Sequence, residues 1–164
     1  MSSTKILVSA CLLGESVRYD GRDNRIHNPI INELQQAKRL ISVCPEVAGG
    51  LSTPRPFARI ESRFPLQIIA SDQTDVTDEF LLGAELAVEL AQKHGCVAAL
   101  MKAGSPSCGN NSVMGGSFSG KSVAGAGVTA QELIQKGIPV FNETQLPELE
   151  AFLDQIEVDL AITA

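Results

Sequence analysis

Lys5-Ile6-Leu7-Val8-Ser9-Ala10-Cys11-Leu12-Leu13-Gly14 is the stretch that decides the fold. The apolar run ends in two small residues, a cysteine and then a glycine, the pattern of a buried strand that delivers a thiol into the loop at its end. The arrangement returns at Leu40-Ile41-Ser42-Val43, followed by Cys44-Pro45-Glu46. It returns again at Cys96-Val97-Ala98-Ala99-Leu100-Met101, which leads through Lys102 to Ser105-Pro106-Ser107-Cys108-Gly109. Thiols just past the ends of separate strands predict one shared metal centre.

Helical patterns fill the gaps between these strands. Asn28-Pro29 is a helix start, and Ile30, Ile31, Leu34 and Ala37 supply an apolar stripe behind it. Leu66 to Ala70 reads as a further strand, central or at an edge, and Asp75 is expected to cap a long helix through His94 that buries Phe80, Leu82, Ala84, Leu86, Val88, Leu90 and Ala91 in part, with Gly95 closing it. Gly109 to Gly127 is rich in Gly, Ser and Asn, which predicts a long loop or a small hairpin around Met114 to Phe118. Thr129 is expected to cap a helix ending at Lys136-Gly137, Ile138 to Phe141 to form a last strand, and Leu146 to Ile156 a terminal helix. Strands alternating with helices predict an α/β fold: a single Rossmann-like domain over residues 1–164, with a mostly parallel sheet covered by helices on both faces. In such sheets ligands bind beyond the carboxyl ends of the strands, where Cys11, Cys44 and Cys108 fall.

Composition narrows the function classes. The 164 residues are 44% hydrophobic, enough for one core. No apolar run reaches bilayer length and Met1 to Ala10 leads straight into a strand, so a cytoplasmic protein without membrane attachment is expected. A net charge of -6 argues against bulk nucleic-acid binding, which draws its affinity from neutralised phosphates. Four cysteines in such a chain point to metal or reactive thiols before disulfides. Paired zinc ligands of the C-x-x-C type are absent. Cys96 opens its strand, roughly 20 Å from the loop end at about 3.3 Å per residue, and is expected to pack in the core.

The strings SACLLG…RYDG, CPE…GGL…PRP, KAGSPSCG and FSG…GAGVTA, in that order over nearly the whole chain, resemble the thiouracil desulfurase family, earlier known only as a bacterial domain of unknown function. The resemblance implies a 4Fe-4S cluster held by Cys11, Cys44 and Cys108, with one iron left open for the sulfur of a small thiolated heterocycle, and desulfuration of thiouracil to uracil without net electron transfer. It also implies a catalytic role for Ser105, the first serine of the SPSC string. The chain departs from the family pattern after PRP, where Phe57, Arg59 and Glu61 occupy a stretch that the family makes richer in proline, with a glutamate near the place of Arg59; this bears on substrate choice.

The residues around the thiols fit such chemistry on their own terms. Glu46 follows Cys44 by two positions and can act as general acid or base, a carboxyl whose pKa burial beside an anionic centre would raise. The Ser105 and Ser107 hydroxyls can position water or a ring oxygen, Ser107 being the one expected to bond a cluster sulfide or its own loop. Lys102 first, then Arg18, Arg55 and Arg59, can offset negative charge or orient a heterocycle. Tyr19-Asp20-Gly21 makes a turn at the pocket mouth, and His27 and His94 are weak candidates. Gly115 to Ser122 matches the phosphate-loop pattern G-x-x-x-x-G-K-[ST], yet lacks the strand before and helix after it that would make it work. Two rivals remain: a non-catalytic iron-sulfur sensor or sulfide carrier, and a zinc-stabilised structural protein.

Overall fold

In the computed structural model, residues 4–114 and 122–163 are described. β1 (Lys5–Ser9), β2 (Leu40–Val43), β5 (Cys96–Leu100) and β8 (Val140–Phe141) form one sheet in the order β2-β1-β5-β8, every pairing parallel. Alternate side chains of β1 and β5 enter opposite cores, as the pleat requires. Ile6, Val8, Ala98 and Leu100 pack under α1 (Pro29–Gln36) and α5 (Leu146–Thr163), against Ile30, Ile31, Leu34, Leu146, Leu149 and Leu153. Leu7, Ala99 and Met101 pack on the other face against Ala87, Val88 and Ala91 of α3 (Thr77–Lys93) and Leu133 of α4 (Val128–Gln135). The expected α/β architecture, a parallel sheet with helices on both faces, is thus observed.

Outside this sheet lie two antiparallel hairpins. β3 (Ala58–Arg63) pairs with β4 (Leu66–Ala70), and the pair closes a third apolar cluster with Phe80 and Ala84. β6 (Ser112–Met114) pairs with β7 (Ser122–Ala124). The hairpin expected near Met114 is therefore present in its two strands, although Gly115 to Lys121 fall outside the described residues. Ser122 of the phosphate-loop pattern lies on a strand, where a working phosphate loop needs a helix. None of the described helices is long and apolar enough to cross a membrane.

Several local expectations are corrected. Val76, not Asp75, is the residue before α3; Asp75 instead accepts the backbone N–H of Thr77 in a turn two residues long. Leu82 is 46% exposed, because the buried stripe of α3 runs through Phe80, Ala84, Ala87, Val88 and Ala91 and Leu82 lies about 200° around the helix from Phe80. Thr129 lies inside α4, behind the capping residue Gly127, and turns its hydroxyl to Ser107 at 2.7 Å. α5 runs on to Thr163, with its last turns exposed.

The loop after β2 is pinned by a close crossing. Cys44 precedes the short helix α2 (Pro45–Ala48), which lies on α3 so closely that a Cβ on Gly83 would stand 2.0 Å from the Pro45 carbonyl oxygen. Gly83→Ala must push α2 away, and overpacking of this kind costs about 1–3 kcal/mol. A lowered melting temperature by circular dichroism is the expected result; an unchanged one would mean that α2 moves aside freely.

Candidate metal centre

The order β2-β1-β5-β8 reverses direction between β1 and β5, and crevices for ligands open at such a reversal, beyond the carboxyl ends of the strands. A cavity of about 460 Å³ lies there, lined by Cys11, Cys44 and Cys108 together with Glu46, Ser105, Lys102, Arg18 and Arg55. Cys11 is carried by a 3-10 turn (Ala10–Leu13) that continues β1 directly, and Cys44 stands between β2 and α2.

Cys108 is positioned by α4. The first N–H groups of a helix lack partners within it, and in α4 these point at the SPSC loop: Val128 donates to the Pro106 carbonyl, and Thr129 and Ala130 to that of Ser107. Gly127 allows the approach, since a Cβ there would meet the Ser107 backbone at 2.6 Å. Inside the loop the Ser105 hydroxyl oxygen accepts the N–H groups of Ser107 and Cys108 at 3.1 and 3.0 Å. Ser107 is buried and absent from the cavity wall, and its hydroxyl pairs with that of Thr129 in α4, a partner outside its own loop.

Burial pushes all three cavity thiols above their ordinary pKa, Cys108 to about 12. Neighbouring negative charge adds to this: Cys44 raises Cys11, Glu46 raises Cys44, and Glu46, Cys11 and Cys44 raise Cys108. Against this, polar groups beside each sulfur favour its thiolate. Cys11 receives Asn24 Nδ2 at 3.4 Å; the backbone N–H groups of Val47 and Glu46 lie by Cys44, whose Sγ meets the Val17 carbonyl at 3.9 Å; and the Ser9 hydroxyl, which donates to Met101 Sδ at 3.6 Å, lies by Cys108. Polar groups beside thiols that resist ionisation suit sulfurs whose protons are replaced by metal charge.

Among the described residues, no group of three or more His, Cys, Asp or Glu side chains is arranged to hold a single metal ion. Thiols that reach one cavity from separate loops can serve separate corners of a polynuclear cluster. All four cysteines are free thiols. Cys96 lies at the opposite end of β5 and packs beside Ala91 and Ala99, since a register shift opposite Lys5 and Ile6 turns it to the face of α3.

The Glu46 carboxyl is raised by burial, an effect partly offset by Arg55, whose Nη2 lies 3.4 Å away. Arg55 is 9% exposed and ties the wall together, donating to the Val17 and Ser52 carbonyls and the Thr53 hydroxyl. Lys102, the foremost cation by sequence, reaches the cavity, but its ammonium is engaged by Glu143 at 2.9 Å and the Ala103 carbonyl at 2.7 Å. Arg59 pairs with Glu61 and is not part of the cavity wall. The turn at Tyr19 does form the mouth, with Tyr19 edge-on to Phe57 at 5.5 Å. His27 and His94 lie outside the cavity. Sequence reading gave no role to Asn24 or Ser9, which belong to the site through contacts across the fold, while Phe57, noted for substrate choice, does line the cavity.

Three comparisons bear on this site. The sequence profile of the 2-thiouracil desulfurase family matches residues 6–145. A Bacillus subtilis (strain 168) protein, the uncharacterized protein YbbK, is 36% identical over 151 residues, which cover 88% of this chain and 99% of that protein. The solved structure of the 4Fe-4S-dependent thiouracil desulfidase TudS superposes with a TM-score of 0.89 at 47% identity, covering 93% of this chain and 99% of that one.

Cys96 offers a control for the cavity thiols. Cys96→Ala removes one buried sulfur far from the cavity and is expected to cost about 1 kcal/mol of stability, with the metal content of anaerobically reconstituted protein unchanged. Loss of metal in that variant would place Cys96 in the centre.

Proposed function

The chain belongs to the 2-thiouracil desulfurase family, and from that premise we propose that, as one desulfurase-like domain over residues 1–164, it replaces the sulfur of a thiolated pyrimidine with oxygen. The observation that carries the reading is the convergence of Cys11, Cys44 and Cys108 on a cavity that also holds Glu46 and Ser105. These cysteines are the ligands we assign to a 4Fe-4S cluster. When bound, it would supply a Lewis-acidic iron without a protein ligand, able to accept the substrate's sulfur.

The chain's own groups then manage water, protons and orientation. Thiouracil and water give uracil and hydrogen sulfide, so the carbon-sulfur bond is exchanged for carbon-oxygen and no electrons are gained or lost. Glu46, kept protonated more readily by burial, can hold a proton for the ring or the departing sulfur and take one from water. The oxygen of Ser105 already accepts two backbone N–H groups, which leaves its own hydrogen to donate toward water or a ring oxygen. Tyr19 and Phe57 offer ring surfaces to a flat heterocycle at the mouth. Free thiols and the absence among the described helices of one fit to cross a membrane accord with the cytoplasm, where we place the protein.

Anaerobically reconstituted wild type is expected to be brown, with about four irons and four sulfides per chain, and to release uracil from 2- or 4-thiouracil. Cys11→Ala, Cys44→Ala and Cys108→Ala should lose the colour. Glu46→Gln and Ser105→Ala should keep iron and sulfide yet lose about 100- to 10,000-fold in uracil release by product chromatography. A loaded wild type that turns over no thiolated pyrimidine would contradict the enzyme reading and favour a sensor or sulfide carrier.

A further inference from the structure

Cys11 differs from the other two cavity cysteines in what donates to its sulfur. Cys44 lies by backbone N–H groups at the start of α2 and meets the Val17 carbonyl at 3.9 Å, and Cys108 lies by the hydroxyl of buried Ser9, which donates to Met101 Sδ at 3.6 Å. Cys11 is served by a side-chain amide, that of Asn24, which is attached to Cys11 twice: its backbone N–H donates to the Cys11 carbonyl at 2.8 Å and its Nδ2 to Sγ at 3.4 Å. The next contact along, Ile26 N–H to the Leu12 carbonyl at 3.0 Å, keeps the strand of chain after Asn24 laid against the 3-10 turn.

An asparagine amide can present either its oxygen or its nitrogen to a neighbour, and Arg18 decides which. Arg18 Nη1 donates to Asn24 Oδ1 at 3.0 Å. A guanidinium has donors only, so it can face nothing but the amide oxygen, and the NH2 group is left pointing at the sulfur. Arg18 is itself held at the cavity mouth by Asp20, 3.1 Å from Nη2, and lies over the Tyr19 ring at 5.9 Å. The other Asp20 oxygen accepts the Arg22 N–H at 3.0 Å, which completes the turn.

We propose that Asn24, oriented by Arg18, is a positioning residue that draws electron density from the Cys11 sulfur and so makes the metal centre a stronger electrophile for the substrate's sulfur. The proposal rests on Cys11 being a cluster ligand, as assigned above. Hydrogen bonds to ligand sulfurs raise the reduction potential of iron-sulfur centres, and outer partners of metal ligands tune metal chemistry broadly. Arg18 thereby gains a purpose that is neither surface charge nor direct contact with a heterocycle. Its place at the mouth puts the Cys11 bond under the control of the cavity rim.

The test uses anaerobically reconstituted wild type, Asn24→Ala, Arg18→Met and Arg22→Met, with iron and sulfide content measured before the reduction potential of each. Arg22 is exposed in the same loop, so Arg22→Met reports the loss of one positive charge alone. Asn24→Ala should shift the potential negative of wild type at full loading. Arg18→Met should shift it the same way and further than Arg22→Met. A loaded Asn24→Ala at the wild-type potential would overturn the proposal, as would Arg18→Met and Arg22→Met that coincide. If Asn24→Ala does not load, the comparison of the two arginine variants decides. A wild type that holds no iron and sulfide would instead overturn the assignment of Cys11, and the proposal with it.

Discussion

Parallel pairing of β1 with both β2 and β5 is the constraint on which the site depends. In a parallel sheet all strands end on one side, so thiols that follow β1, β2 and β5 arrive in the same crevice even though Cys11 and Cys108 are far apart in sequence. Were any of these strands reversed, its cysteine would leave at the opposite edge, where Cys96 in fact lies. The apolar alternation in β1 and β5, with Ile6, Val8, Ala98 and Leu100 on one face and Leu7, Ala99 and Met101 on the other, fixes this register by burying both faces.

The loops need a second layer of support, because strand ends bring cysteines near without aiming them. α4 supplies it for Cys108 by spending its unpartnered N–H groups on the Pro106 and Ser107 carbonyls. α3 does so for Cys44 through the tight contact of Gly83 with Pro45. Cys11 is held by the short turn continuing β1 and by the run around Asn24. Helices on the same face as Met101 thus serve both the core and the loops, which is economical in a chain of 164 residues. The Arg55 side chain plays a related part in the opposite wall, binding carbonyls from two loops while it faces Glu46.

Strand-end thiols were legible in the sequence because they depend on local pattern: an apolar run, then small residues, then Cys. Cys96 was legible for the same reason, as the residue that opens its strand. β3 was not, since Glu61 and two arginines interrupt its pattern and a register shift between Ile60 and Ser62 breaks the alternation. Asp75 and Thr129 misled as caps because a side chain of capping type near a helix start has other partners available, here a Thr77 N–H and the Ser107 hydroxyl. Lys102 looked freer than it is, because Glu143 lies forty-one residues on and reaches it only through the β5–β8 pairing. Asn24 and Ser9 were invisible for a like reason: nothing in a sequence says that an amide or a hydroxyl will face a particular sulfur.

The central claim is that three protein thiolates hold a cluster and leave one iron to the substrate. Mössbauer spectroscopy of the iron-57 protein, reconstituted without oxygen and measured with and without thiouracil, tests it most directly. One iron site in four should be distinguishable and should change when thiouracil is added, while the other three stay as they were. Four equivalent irons that ignore thiouracil, or no cluster signal in a fully reconstituted sample, would contradict it.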